Sequence, residues 1–184
     1  GGLSTGIGFA MKDILENIYY GISLMTGRIK IGDYIVCDGI RGRVSSISYT
    51  STMLEALDGS VIAFQNSQLF TKNYKNMTKN HGYELDILEV GIAYGSNINK
   101  VKKMLVDAIT ALGITYTEKS VQVMIKSFDD SCVTLKVLVW VNVFTQGSDD
   151  NAIMECIYET LEKNGIEIPF PQREITIKHQ TIEE

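Results

Sequence analysis

Between residues 133 and 143 every second side chain is aliphatic: Val133, Leu135, Val137, Val139, Val141 and Val143. Successive side chains of a strand point to opposite faces, so this run commits one whole face to a hydrophobic core. The flanking segments follow a different period. Ile98, Val101, Met104, Leu105, Ala108, Ile109 and Leu112 recur at three and four, the spacing of one helix face. Ser96 or Asn97 supplies an N-cap for that helix and Gly113 a C-terminal cap. A second helix is expected from about Ser148 to Asn164, turning Ile153, Ile157 and Leu161 inward and stopping before Gly165. With strands over residues 83–94 and at Val121, Val123 and Ile125, the order is β-α-β-β-α, and residues 174–178 (EITIK) offer one more strand. This order is that of a ferredoxin-like split β-α-β. The first five elements bury a core by themselves; the last strand joins that sheet or pairs with other subunits.

Upstream the pattern changes. Residues 32–37, 42–49, 52–57 and 60–64 are short β-prone runs punctuated by Asp38-Gly39 and Asp58-Gly59, both two-residue hairpin signals. Four or five short antiparallel strands in so few residues predict a small barrel or half-barrel over residues 28–70. The polar stretch 71–83 (TKNYKNMTKNHGY) reads as a connector between this unit and the α/β unit of residues 84–172, with a C-terminal strand and tail at 173–184.

Residues 1–27 fit neither unit. The first eleven (GGLSTGIGFAM) are small, apolar and uncharged, and they begin without an initiating Met, as the back half of something longer would. Ile14, Leu15, Ile18, Ile22 and Met25 then recur at helical spacing, with Lys12, Asp13 and Glu16 at the change of character. In a helix in water Gly2, Gly6, Gly8 and Gly21 each cost about 1 kcal/mol relative to Ala, whereas in a membrane bundle small residues let backbones approach. Two readings follow from composition: a glycine-rich leader before an amphipathic helix, or the end of a membrane helix. Arg28 and Lys30 come directly after, then Lys72, Lys75 and Lys79. Positive residues just past a membrane-associated helix mark the cytoplasmic side, while on a soluble protein they are a solvated face. A complete span needs about 20 mainly apolar residues, and the sequence contains no such run.

Several function classes are disfavoured. A net charge of −5 and a pI near 5.1 argue against a nucleic-acid binder. The cysteines Cys37, Cys132 and Cys156 are odd in number and widely spaced, which suits burial in a reducing compartment and gives no zinc or disulfide framework. His81 and His179 stand apart, outside any metal-ligand spacing, and are expected at the solvated surface. Asp129-Asp130 and Asp149-Asp150 suit a hairpin turn and a helix N-terminus. No nucleophile elbow or P-loop is present, so no enzyme and no cofactor is expected.

Residues 6–33 resemble the last transmembrane helix of the small-conductance mechanosensitive channel family and its exit into a cytoplasmic β domain. The resemblance continues through Arg41-Gly42-Arg43-Val44, Asp58-Gly59, Gln65-Asn66-Ser67, Val90-Gly91-Ile92-Ala93-Tyr94 and Gly165-Ile166-Glu167-Ile168-Pro169-Phe170-Pro171-Gln172, covering essentially the whole chain. It implies an α+β protein: a truncated membrane helix, an Sm-like β-barrel, then a ferredoxin-like domain with a short C-terminal strand. It also implies a homo-oligomer of seven subunits in the inner (plasma) membrane, multi-pass, with this region mainly cytoplasmic. Its partners are the lipid bilayer and permeating ions and small solutes, without nucleic acid. Bilayer tension opens such a pore on hypo-osmotic shock. By position, two pore-constricting rings fall at Thr5 and Phe9, where the family carries leucines. The helix kink falls at Lys12 and Asp13, where the family often has Gln-Gly. Gly2, Gly6, Gly8, Asn17 and Gly21 take helix-packing positions, and Arg28 and Lys30 the membrane-proximal basic ones. Two other functions remain open: a channel of this architecture modulated by a ligand, and a soluble oligomeric Sm-like module binding RNA.

Overall fold

A computed structural model describes residues 1–175, which divide between two compact units, one ending at Glu84 and the other beginning at Leu85. The first opens with helix α1 (Gly2–Met25). Strands β1 (Tyr34–Cys37), β2 (Ile40–Ile47), β3 (Ser51–Glu55) and β4 (Val61–Gln65) follow, then helix α2 (Asn66–Thr71) and strand β5 (Tyr74–Asn76). These strands form one antiparallel sheet in the order β4-β3-β2-β1-β5.

The Asp38-Gly39 pair makes the tight β1–β2 hairpin expected of it. Cys37 pairs with Ile40, and both loop residues have positive φ, at 52° and 75°, the conformation in which such a turn matches the strand twist. The second Asp-Gly pair behaves differently. Glu55 pairs with Val61, so the loop is longer than two residues, and only Gly59 takes positive φ. Asp58 instead turns the chain by accepting hydrogen bonds from the Ser60 backbone N–H at 2.9 Å and its hydroxyl at 2.6 Å.

Residues 71–83 are not a plain connector. They contain β5, which extends the sheet through Ile35↔Asn76, Val36↔Lys75 and Cys37↔Tyr74. A polar three-residue edge strand has no hydrophobic period to betray it; β1's free backbone groups select it. The first core gathers Leu24 from α1, Ile29 just beyond it, Ile35, Cys37, Val44, Leu54, Phe64 and Leu69.

The second unit takes up β6 (Tyr83–Ile92), whose first two residues belong to the first unit, then α3 (Ile98–Ala111), β7 (Gln122–Phe128), β8 (Val133–Asn142) and α4 (Gln146–Lys163). Its sheet order is β6-β8-β7, with β7 and β8 antiparallel. Every apolar position of the β8 alternation, and Val143 after it, is buried, and against them pack Val101, Leu105 and Ile109 of α3 and Ile153, Ile157 and Leu161 of α4. Asn97 is the residue that caps α3, accepting from the Lys100 N–H at 3.1 Å; the Ser96 hydroxyl turns back to the Ala93 carbonyl. Gly113 and Gly165 end the two helices with φ of 69° and 66°. The β7 alternation loses register between Ile125 and Ser127, a bulge that leaves Ile125 only partly buried.

One surface expectation and one burial expectation are corrected. His81 is half-buried, and its Nδ1 accepts from the Tyr83 N–H at 3.1 Å. Cys37 is buried, but Cys132 and Cys156 are only partly so. His179 and most of the expected strand at 174–178 lie outside the described residues.

Candidate functional site

In α1 the two parts distinguished by sequence meet different surroundings. Leu3, Ile7, Phe9, Met11, Ile14 and Leu15 are all more than half exposed. A Cβ built at Gly2, Gly6 or Gly8 meets nothing within 4 Å. Thr5 and Phe9, four residues apart, share one face of this half, Phe9 with 68% of its surface exposed. The Thr5 hydroxyl donates to the Gly1 carbonyl at 3.0 Å, which satisfies it locally in an apolar setting. The helix continues through Lys12 and Asp13 without a break in its assignment. Among the described residues no helix is long and apolar enough to cross a membrane.

The second half of α1 is anchored. Asn17 Oδ1 accepts from the Ser67 N–H at 3.0 Å, capping the first turn of α2 from another helix, while Asn17 Nδ2 donates to the Asp13 carbonyl at 3.0 Å. One turn later Gly21 is buried against the β2–β3 turn. A Cβ there would lie 2.5 Å from Asn66 Nδ2 and 2.7 Å from the Tyr49 carbonyl oxygen, so only hydrogen fits. Leu24, next on this face, is fully covered.

Asn66 holds the joint together. It is fully buried; its Nδ2 donates to the Ser48 carbonyl at 2.9 Å, and its Oδ1 accepts from the hydroxyl of buried Thr52 at 2.9 Å. Its own N–H reaches the Thr50 carbonyl at 3.0 Å. A buried polar network with its partners in place fixes a geometry that apolar contact alone leaves adjustable. An aromatic stack flanks it: Tyr20 lies on Phe70 at 4.6 Å between centroids, and the Arg28 guanidinium stands 4.4 Å from the Phe70 ring.

Of the residues singled out from sequence, Asn17 is thus brought against α2 and Gly21 against the β2–β3 turn, and Arg28 joins the aromatic stack. Gly2, Thr5, Gly6, Gly8, Phe9 and Lys12 are all exposed among the described residues. Sequence reasoning missed the role of Thr52 and treated Asn66 only as part of a family-like step. Their signal is faint, a Thr inside a strand and an Asn at a strand–helix junction. No group of acidic, His and Cys side chains suited to a metal occurs among the described residues.

Residues 13–79 match the family described as "Mechanosensitive ion channel, beta-domain", and residues 86–168 that described as "Mechanosensitive ion channel MscS, C-terminal". The chain is 32% identical over 172 residues to an uncharacterized MscS family protein of Archaeoglobus fulgidus, covering 92% of this chain and 60% of the relative. It is 28% identical over 170 residues to a small-conductance mechanosensitive channel of Edwardsiella ictaluri, covering 92% of this chain and 59% of that one. It therefore spans about 60% of the length of these relatives. The crystal structure of Helicobacter pylori MscS in its closed state superposes with a TM-score of 0.81 at 28% identity, over 98% of this chain and 72% of that one.

Proposed function

This chain belongs to the MscS family of mechanosensitive ion channels, which are not enzymes, and we propose that it is the pore-helix end and cytoplasmic region of a tension-gated channel subunit. The observation that carries the proposal is the split character of α1. Its glycine-rich first half leaves its apolar side chains exposed among the described residues, while its second half is fixed to α2 through Asn17 and to the β2–β3 turn through Gly21 and Asn66. A helix so divided suits a wall shared with other copies and with lipid, mounted on a rigid base.

In this proposal seven copies form a pore in the inner membrane, joined to transmembrane segments outside this chain. Membrane tension opens it, and ions and small solutes leave a cell swollen by hypo-osmotic shock. Phe9 forms the apolar ring, closing the pore by dewetting. Thr5, polar and engaged with Gly1, adds no second apolar seal. The five-stranded sheet is the Sm-like domain, and the second unit, with sheet order β6-β8-β7, the ferredoxin-like one. The deciding experiment is patch-clamp recording of the full-length protein in liposomes under stepwise suction. Suction-evoked single-channel openings whose threshold shifts in Phe9→Ser support the reading. Silence from verified, inserted protein moves the ligand-controlled channel to first place.

A further inference from the structure

Just past α1 the chain encloses a pocket of about 290 Å³ lined by Gly27, Arg28, Lys30, Asp33, Thr78 and Lys79. All three cations are exposed. The one carboxylate is already occupied. Asp33 Oδ2 accepts from the Lys30 backbone N–H and from Asn76 Nδ2, both at 2.9 Å, and Oδ1 from the Thr78 hydroxyl at 3.0 Å. Burial works to raise its pKa, but these hydrogen bonds and the Lys30 charge prevail and hold the carboxyl below its ordinary value.

The cations keep capacity to spare. Lys79 Nζ donates once, to the Gly27 carbonyl at 2.9 Å, and an ammonium has three donors. Arg28 is held by its stack on Phe70, which leaves the guanidinium edge available. With three cations against one engaged carboxylate, the pocket is net positive in a chain whose total charge is −5. Apolar surface belongs to the same segment: Ile22 and Met25 are exposed on the last turns of α1, and Ile31, next to Lys30, is 68% exposed. Exposed aliphatic side chains beside a small basic pocket match the layering of a bilayer surface, where acyl carbon lies next to phosphate.

We propose that this pocket binds the phosphate of an anionic phospholipid headgroup through Arg28, Lys30 and Lys79, with Met25 and Ile31 against the acyl region. The proposal rests on the reading of α1 as a membrane helix. The overall negative charge of the chain opposes an anionic surface, so the preference must arise locally.

The test uses full-length protein in detergent, stripped of lipid and titrated with phosphatidylglycerol or phosphatidylcholine, with bound lipid counted by native mass spectrometry. The double variant Arg28→Gln/Lys30→Gln should bind phosphatidylglycerol about 30-fold more weakly, about five-fold per charge, with phosphatidylcholine unaffected. Lys100→Gln/Lys103→Gln on α3, with the same change in charge, should alter either lipid by less than about two-fold. The single variant Lys79→Gln, which leaves the Phe70 stack untouched, guards against a folding defect and should weaken phosphatidylglycerol alone. Equal losses in the two double variants, or no loss in the first, overturn the site. Displacement of phosphatidylglycerol by millimolar inorganic phosphate overturns the lipid assignment in favour of a soluble anion. Suction-evoked currents without phosphatidylglycerol preference refute this inference and leave the channel intact; the preference without currents does the reverse.

Discussion

Helices α1 and α3 draw on similar apolar residues and meet opposite fates. α3 turns Val101, Leu105 and Ile109 into a core that covers them completely, whereas α1 leaves Leu3, Ile7, Phe9, Met11, Ile14 and Leu15 largely exposed. Burying one such side chain is worth about 2 kcal/mol, so keeping six in water forgoes on the order of 10 kcal/mol. That matches the whole stability of an ordinary domain, about 5–15 kcal/mol. A helix of that kind is what the proposed wall, shared with other copies and with lipid, requires. Its C-terminal half shows how the contrast is maintained: one face changes from open surface to a fitted joint between Lys12 and Gly21.

The sharpest way to break the comparison is to truncate both helices. Leu105→Ala removes a fully buried side chain and should cost about 3–4 kcal/mol in chemical denaturation, while Leu3→Ala, at an exposed position, should change stability by less than about 0.5 kcal/mol. Comparable losses at the two sites would mean that the first half of α1 is packed in solution. Next comes the joint itself. Asn66→Ala orphans the Ser48 carbonyl and the Thr52 hydroxyl and should cost about 3 kcal/mol, read from the denaturation midpoint.

Gly21→Ala pits two effects against each other. Alanine gains about 1 kcal/mol of helix propensity, but a Cβ 2.7 Å from the Tyr49 carbonyl forces backbone apart at about 1–3 kcal/mol. The expected net is a loss of about 1 kcal/mol in the same assay, with faster proteolysis between the joint and α1. A gain in stability would show that the joint has slack.

The smallest effect concerns pH. Asp33 titrates below its ordinary 3.8 in the folded protein, so it contributes stability above that pH, which is lost as pH falls through its lowered value. Thermal unfolding of Asp33→Asn should therefore depend less steeply on pH below about 4 than the parent, with the two curves parallel near neutrality. Identical acid slopes would place the acid sensitivity elsewhere.

Much of the second unit was legible because its residues repeat. The β8 alternation, the stripe on α3, and Gly113 and Gly165 each carry a local rule that tertiary structure obeyed. The Asp38-Gly39 turn was legible for the same reason, whereas Asp58-Gly59 obeyed its side chain's hydrogen bonds rather than the hairpin rule. The candidate site was only partly readable. Resemblance selected Asn17 and Gly21, but Ser67 and Asn66 meet them, and Thr52 meets Asn66, only after the β2–β3 hairpin and α2 have formed. The strand β5 is the extreme case, a polar triplet whose structure exists because β1 has an edge to fill.

By itself, then, the sequence determined the elements that announce themselves through period, caps and turn chemistry, and the change of character along residues 1–27. Tertiary structure alone decided what the polar residues do: which asparagine caps which helix, which glycine admits no Cβ, and which lysines share a pocket with Arg28. The reason is physical. Hydrophobic patterning is written in spacing along the chain, because burial acts on whole faces. A hydrogen bond or a close backbone approach depends on ångström-scale positions of segments distant in sequence, and those positions exist only once the chain has folded.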